Sequence, residues 1–455
     1  MSRRGISSTH EIEQSYHIDA PAFSFLPDCV GSRFDLTSAE PPHPKLSRIL
    51  PPPKLLGLIR GGTQEDDYDF DSFTETHGDS KGEEFAIQEC TNFLNRHGIP
   101  CRHEQVSLNN NILSALEVVY KKIGLSDSRK VLAITPTFGY YFKQFKELGI
   151  GVETLETTAE NNFLPNPEEL EKTIVGSGAV ALLLCYPNNP TGTVMTEECA
   201  RQISEIAERN NIFVISDEAF MNNSLSEVVH FPVAAIPGML ERSFTVTSAA
   251  KSMFAGQKTG FCVSRPDIIS GFARLGGYPT KQSQKIMTAA LEDSAENHKY
   301  LAKCRDYYLG NIDVVQSKLT ELNTKFRTQF SEEIDYVKPF ISRPDATNVY
   351  LLDFSGLRGK KYGYQIMATG LDTAQWLLRE ASVGTVPGEC FLFDEKTMLV
   401  RIALNSPPDQ LALAFDSMIA ATASITPPSR APSPIGGARI PTTANSLSGA
   451  GLEDL

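Results

Sequence analysis

The chain of 455 residues has no apolar run approaching the roughly 20 residues needed to span a bilayer, and its first residues lack the apolar core of a secretory leader. A soluble, cytoplasmic protein that stays off the membrane is expected. The eight cysteines are dispersed at 29, 90, 101, 185, 199, 262, 304 and 390, with no Cys-x-x-Cys pair. That pattern supports neither a disulfide framework nor a zinc site, and reduced thiols are expected. Histidine shows no ligand spacing, and His77 and His103 are read as structural or exposed. Positive charge is also in short supply. Lys+Arg number 42 against 55 Asp+Glu, a formal net charge of −13, which weighs against nucleic acid as a partner. No internal repeat is evident, so a solenoid is not expected.

What the chain does contain is a series of apolar runs, each stopped by a polar group. Ala179-Val-Ala-Leu-Leu-Leu-Cys-Tyr186 runs into Pro187-Asn-Asn-Pro-Thr-Gly192. Ile212-Phe-Val-Ile-Ser216 ends in Asp217-Glu-Ala-Phe220, and Phe244-Thr-Val-Thr247 ends in Ser248-Ala-Ala-Lys251. A continuous apolar run bounded by turn formers predicts a parallel strand buried on both faces. In open α/β sheets, ligands bind beyond the carboxyl ends of such strands, so Asn189, Asp217 and Lys251 are expected to converge. A fourth group, Arg401 in Met398-Leu-Val-Arg-Ile-Ala-Leu404, alternates with apolar residues as on a half-buried strand.

The four groups are chemically complementary. Lys251 can condense with an aldehyde as a Schiff base once its surroundings strip its proton. Asp217 can keep a pyridine nitrogen protonated, making the ring an electron sink for a carbanion at a substrate α-carbon. Asn189 can donate to a phenolic oxygen on that ring. The planar fork of Arg401 suits the α-carboxylate of an amino acid. Together they point to pyridoxal 5′-phosphate as the cofactor.

From about Asp35 to about Ile419 the chain resembles the class I/II aminotransferases, which are fold type I pyridoxal phosphate enzymes. The resemblance rests on the Asn-Pro-Thr-Gly element, Asp217, Lys251 and Arg401 in that order. It is joined by Pro136-Thr-Phe-Gly-Tyr140 and Gly384-Thr-Val-Pro-Gly-Glu-Cys-Phe391. It implies an α/β fold with a large domain built on a mainly parallel sheet flanked by helices, plus a smaller α+β domain. It also implies that Phe138 stacks on the ring, that Ser248 is among the cofactor-binding residues, that Lys258 lies in the phosphate-binding region, and that Asn110, Asn111 and Ile112 form the phosphate cup at a helix start. Lys251 is preferred over Lys258 as the Schiff-base lysine because Ser248 stands three residues before it and the strand directly precedes it. A homodimer is implied as well, with the Phe73 region and Tyr278-Pro-Thr-Lys-Gln282 reaching toward the neighbouring subunit.

Departures from the family pattern cluster around the same cofactor. Lys258 stands where an arginine usually binds phosphate, offering a point charge in place of a bidentate fork. Phe220 replaces a tyrosine that would donate to the phenolic oxygen, which predicts a phenolate that holds the imine proton more strongly. Phe73 lacks a tyrosine's hydroxyl, and nearby Tyr68 is its candidate substitute. The acidic run Glu65-Asp-Asp-Tyr-Asp-Phe-Asp71 is read as a solvated loop, with selection of a basic substrate side chain as the alternative.

The composition suggests an N-terminal extension over 1–33 and a small domain combining 34–70 with 334–421. The large cofactor domain is expected over 71–333, and a Pro/Ser/Gly/Thr-rich disordered tail over 426–455. A helix is expected over Glu83–Leu94 from its apolar spacing. The expected activity is transfer of an amino group from an amino acid to a 2-keto acid. Other pyridoxal phosphate reactions on an amino acid (lyase, decarboxylase, cyclase or oxidase, in specialised metabolism) use the same residues and stay open, as does a non-catalytic binding protein with this fold.

Overall fold

A computed structural model describes residues 21–29, 31–59, 81–272 and 279–427. The expectations for residues 1–20, for Glu65–Asp71, Tyr68, Phe73, His77 and Tyr278, and for the tail from residue 428 onward lie outside the described residues.

Seven strands form the central sheet: β1 (Val106–Asn109), β2 (Val131–Thr135), β3 (Val152–Glu156), β4 (Ala181–Cys185), β5 (Phe213–Asp217), β6 (Ser243–Thr247) and β7 (Gly260–Ser264). Their order across the sheet is β1-β7-β6-β5-β4-β2-β3, and only β7 runs against its neighbours. The apolar runs become strands because both faces of the sheet are covered. In β4, Ala181, Leu183 and Cys185 point to one cluster, while Leu182 and Leu184 point to the other. The first cluster lies under α2 (Ile112–Lys122) and α3 (Tyr140–Leu148). The second lies under α4 (Pro167–Ser177) and α5 (Glu197–Arg209). A strand buried on both sides favours apolar residues at every position, which is why β4 reads as a run rather than an alternation; β6 is buried throughout as well but alternates Ser243, Thr245 and Thr247 with Phe244 and Val246.

The helix expected from Glu83 is α1 (Glu84–Arg96), which buries Ala86, Ile87, Cys90, Phe93 and Leu94. It is followed late in the chain by α6 (Lys281–Leu291) and by α7 (Ala295–Phe330), a 36-residue helix. The distal half of α7 packs into the C-terminal part of the molecule, where Phe326 meets Trp376 at 6.4 Å and Tyr336 at 5.3 Å between ring centroids.

Beyond α7 the chain forms a four-stranded antiparallel sheet containing β8 (Val349–Asp353) and β9 (Leu399–Ala403), with Leu351 opposite Arg401. Helices α8 (Gly370–Ala381), which carries Trp376, and α9 (Pro408–Ala421) accompany this sheet. Phe34–Asp35 pairs with Val383–Gly384, so the segment after residue 33 is attached to this part of the molecule. Thr426, assigned by composition to the tail, is instead the last residue of a short strand that pairs with Lys361. Backbone pairing needs no apolar side chain, so composition misses it. Among the described residues no helix is long and apolar enough to cross a membrane.

Candidate active site

The carboxyl ends of β4, β5 and β6 lie side by side, with Cys185 paired to Asp217 and Asp217 to Val246. The loop after β4 is held by Asn188. Its Nδ2 donates to the Pro136 carbonyl at 3.0 Å, while its Oδ1 accepts from the Thr191 amide at 3.0 Å. Gly192 closes the loop at φ 77°, and a Cβ there would stand 2.5 Å from Pro344 Cβ and 2.7 Å from the Ala346 carbonyl. Only glycine meets both demands. The neighbour of this bracing residue, Asn189, is thereby presented at the sheet edge.

Asp217 is 4 % exposed. Its Oδ2 accepts from Tyr141 Oη at 2.6 Å and its Oδ1 from the Ala219 amide at 3.0 Å. Burial raises its pKa to about 6. The Tyr141 and Ala219 donors and the Lys251 charge pull the other way, and adjacent Glu218 adds to the rise. The result is a carboxylate held rigidly in an apolar setting, suited to a cationic N–H partner.

Lys251 ends the single turn after β6 and is half-buried. Its Nζ donates to the Ala39 carbonyl at 3.0 Å and lies 5.8 Å from the centroid of the Phe220 ring. Burial lowers its pKa, and the Arg401 and Lys258 charges lower it further, against Glu40 and Asp217. Arg401 on β9 donates from Nη1 to Asn189 Oδ1 at 3.1 Å and from Nη2 to the Thr37 carbonyl. Its guanidinium carbon stands 5.0 Å from the Phe391 ring centroid, and its Nε is buried without a hydrogen-bond partner. Burial depresses its pKa to about 10.

Phe138, Asn189, Lys251 and Arg401 line one cleft of about 570 Å³, together with Thr37–Glu40, Tyr140, Lys143 and Phe391. Asp217 lies buried at the strand end beside Lys251, and Phe220 packs with Ala39 and Val349. The remaining candidates are placed differently. Ser248 donates to the Thr259 carbonyl at 2.5 Å and accepts from the Ala250 amide at 2.9 Å. Lys258 is exposed, with φ 52°. Asn111 is the N-cap of α2 and accepts from the Ser114 amide at 2.8 Å. Asn110 and Ile112 flank it, half-buried.

Two residues here escape the sequence reading. Tyr141 follows Phe138 by one helical turn and reads as a core aromatic, although its hydroxyl on a buried helix face is a request for a partner. Asn109 ends β1 and is 3 % exposed. Neither atom of its amide has a hydrogen-bond partner, and its Oδ1 fills the space where a Cβ on Gly260 would sit, 2.7 Å away. An amide at the end of an apolar strand was the signal available.

Residues 64–417 match the family model described as aminotransferase class I and II. The chain belongs to that family. It is a pyridoxal 5′-phosphate-dependent aminotransferase, moving an amino group from an amino acid to a 2-keto acid. Among the relatives of this aminotransferase, an aspartate aminotransferase of Pyrococcus horikoshii is 25% identical over 301 residues, 65% of this chain and 70% of the relative. Aromatic-amino-acid aminotransferase 2 of Thermococcus litoralis is 26% identical over 322 residues, 69% of this chain and 74% of the relative. The solved structure of Thermus thermophilus aspartate aminotransferase with maleate superposes with a TM-score of 0.71 at 21% identity, covering 90% of this chain and 96% of that one. The likeness bears out the expected fold type I architecture. Among the described residues no group of three or more His, Cys, Asp or Glu could hold a metal ion.

Proposed function

We propose that Lys251, Asp217, Asn189 and Arg401 carry out the amino-group transfer in the cleft beyond β4, β5 and β6. Pyridoxal 5′-phosphate, when bound, supplies an aldehyde for the substrate amine and a ring that withdraws electrons from the substrate Cα. The observation that carries the assignment is the Asn189–Arg401 hydrogen bond, which joins a loop of the central sheet to a strand of the four-stranded sheet over the Lys251 amine.

The residues fit the cofactor. Asp217, fixed by Tyr141 and Ala219, would accept the N–H of the ring nitrogen and keep it protonated. Because Arg401 occupies Asn189 Oδ1, the Asn189 amide is oriented to donate from Nδ2, as the phenolic oxygen requires. Phe138 would cover one ring face. The first amides of α2, with Asn110, Asn111 and Ile112, would receive the phosphate dianion, aided by the Lys258 charge. Asn109, a buried amide without a partner at the end of β1, adds a donor on that side. Ser248 contributes by bracing the turn between Thr259 and Lys251.

Arg401 would take the substrate α-carboxylate, exchanging its contact with the Thr37 carbonyl for a charged partner. Lys251, its proton loosened by burial beside Arg401, would act as base at Cα and return the proton to the carbon that was the aldehyde. On this reading the chain divides into a large unit over 71–333 and a small one over 34–70 plus 334–421 that closes on the substrate. Assembly as a homodimer and residence in the cytoplasm belong to the same proposal.

The assignment is tested by reducing the cofactor-loaded protein with borohydride and mapping the modified peptide by mass spectrometry. The label is expected on Lys251; a label on Lys258 would overturn the assignment.

A further inference from the structure

A second carboxylate lies next in sequence to Asp217 and is not used by the reaction described above. Glu218 is 0 % exposed. Its Oε1 accepts from Ser216 Oγ at 2.9 Å, and its Oε2 lies 3.2 Å from His230 Nε2. The other ring nitrogen, His230 Nδ1, accepts from the Met195 amide at 3.2 Å. A main-chain amide can only donate, so Nδ1 must present its lone pair and the single ring proton sits on Nε2, aimed at Glu218. His230 Nδ1 thus carries no proton, and each Glu218 oxygen faces a donor. The carboxylate is fully buried, and His230 lies between it and the surface.

Its location gives that charge a use. Asp217, the last residue of β5, bonds Tyr141 on α3, while Glu218 just beyond the strand bonds Ser216, whose side chain alternates with that of Asp217, which places Glu218 on the opposite side of the sheet. Met195 stands three residues beyond Gly192, at the exit of the loop that presents Asn189. The path Met195–His230–Glu218 thus ties that loop to the residue beside Asp217, while Thr247 Oγ1 donates to the Glu218 carbonyl at 2.8 Å from the strand leading to Lys251. Three strand ends that carry reactive groups are joined through one buried residue.

We infer that Glu218 and His230 are positioning residues that set the charge at the cofactor's ring nitrogen from behind Asp217 and fix the Asn189 loop relative to it. The inference rests on the placement of Asp217 against that nitrogen. A negative charge behind Asp217 favours a proton on the ring, and burial of both carboxylates limits its screening by solvent. A neutral amide at 218 would keep the shape, accepting from His230 through its oxygen and donating to the Ser216 hydroxyl in place of accepting from it, and would lose the charge.

The test uses the full-length protein loaded with pyridoxal 5′-phosphate carrying an isotope-labelled ring nitrogen, observed by NMR near neutral pH. Relative to wild type, Glu218→Gln is expected to move the ring-nitrogen resonance toward its unprotonated position, corresponding to a proton affinity weakened about tenfold. A resonance at the wild-type position would overturn the inference. Asp217→Asn is measured alongside. If that variant leaves the resonance unmoved, the placement of Asp217 itself fails, an outcome distinct from failure of the Glu218 role. Should Glu218→Gln not fold, His230 supplies the contrast. His230→Leu removes the donor that faces Glu218 Oε2 and is expected to shift the resonance in the same direction, whereas His230→Gln restores a donor and is expected to restore the wild-type position. Equal resonances in these two variants would contradict the proposal.

Discussion

Tyr141 Oη donates a 2.6 Å hydrogen bond to Asp217 Oδ2, and both side chains are buried. This bond favours the charged form of Asp217 against its own desolvation, and hydrogen bonds to charged groups contribute about 1.5–3 kcal/mol. Tyr141→Phe is therefore expected to weaken cofactor binding by roughly 10- to 100-fold while leaving the fold intact. Titrating the cofactor-free variant with pyridoxal 5′-phosphate by fluorescence checks this, and unchanged affinity would exclude a role for Tyr141 in holding Asp217.

Asp217 makes stability depend on pH. Its folded pKa is raised from 3.8 to about 6, so between those values the folded chain holds more protons than the unfolded one. By linkage, stability then falls as pH rises through that window and stays lowered above it. Asp217→Asn removes the penalty, so in the cofactor-free protein the variant should gain up to about 3 kcal/mol over wild type above pH ~7, and the gain should vanish below pH ~4. Urea unfolding at the two pH extremes reads the difference, which a pH-independent gap would contradict.

Arg401 meets Asn189 with one nitrogen and the Thr37 carbonyl with another, a fork held flat by the Phe391 ring. Lysine at this position keeps the charge and loses the fork. Arg401→Lys is expected to raise KM for the amino acid about 100-fold, with a much smaller change in kcat, because carboxylate binding persists through the reaction. Steady-state kinetics separates the two, and an equal loss in kcat with KM unchanged would speak against carboxylate binding.

Phe220 is 3 % exposed, and its ring centroid lies 5.8 Å from Lys251 Nζ. A hydroxyl there would donate to the cofactor's phenolic oxygen and loosen that oxygen's hold on the neighbouring proton. Phe220→Tyr should lower the protonation midpoint of the bound cofactor by about one pH unit, in line with one neutral hydrogen bond. Absorbance titration of the loaded protein gives the midpoint directly. A midpoint that stays put or rises would mean that the added hydroxyl does not reach the oxygen.

The strand ends were legible because each combines an apolar run, forced by burial on both faces, with an abrupt polar stop. Asn189, Asp217 and Lys251 all follow from that rule, whereas the half-buried alternation expected around Arg401 is absent: all five residues of β9 are buried, and Arg401 is the one charged group among them. Tyr141 was hidden because a phenol among Phe142 and Phe145 reads as core, and only tertiary structure supplies its carboxylate partner. The carbonyls of Thr37 and Ala39, which meet Arg401 and Lys251, were hidden for a different reason: every residue has a carbonyl, so sequence carries no mark of the ones that matter. Glu218 stands in the Asp217 motif, but its partner His230 lies 12 residues on, in a segment without periodicity. Thr426 reads as tail from composition because its pairing partner, Lys361, is 65 residues away.

The most direct test of the central claim is a single-turnover reaction of the purified, cofactor-loaded protein with a panel of amino acids, without added keto acid. The account predicts one equivalent of 2-keto acid per active site, conversion of the cofactor to its pyridoxamine form, and loss of both in Lys251→Ala. Release of ammonia or carbon dioxide with the cofactor's original absorbance restored would contradict it and place the chain's chemistry outside amino-group transfer.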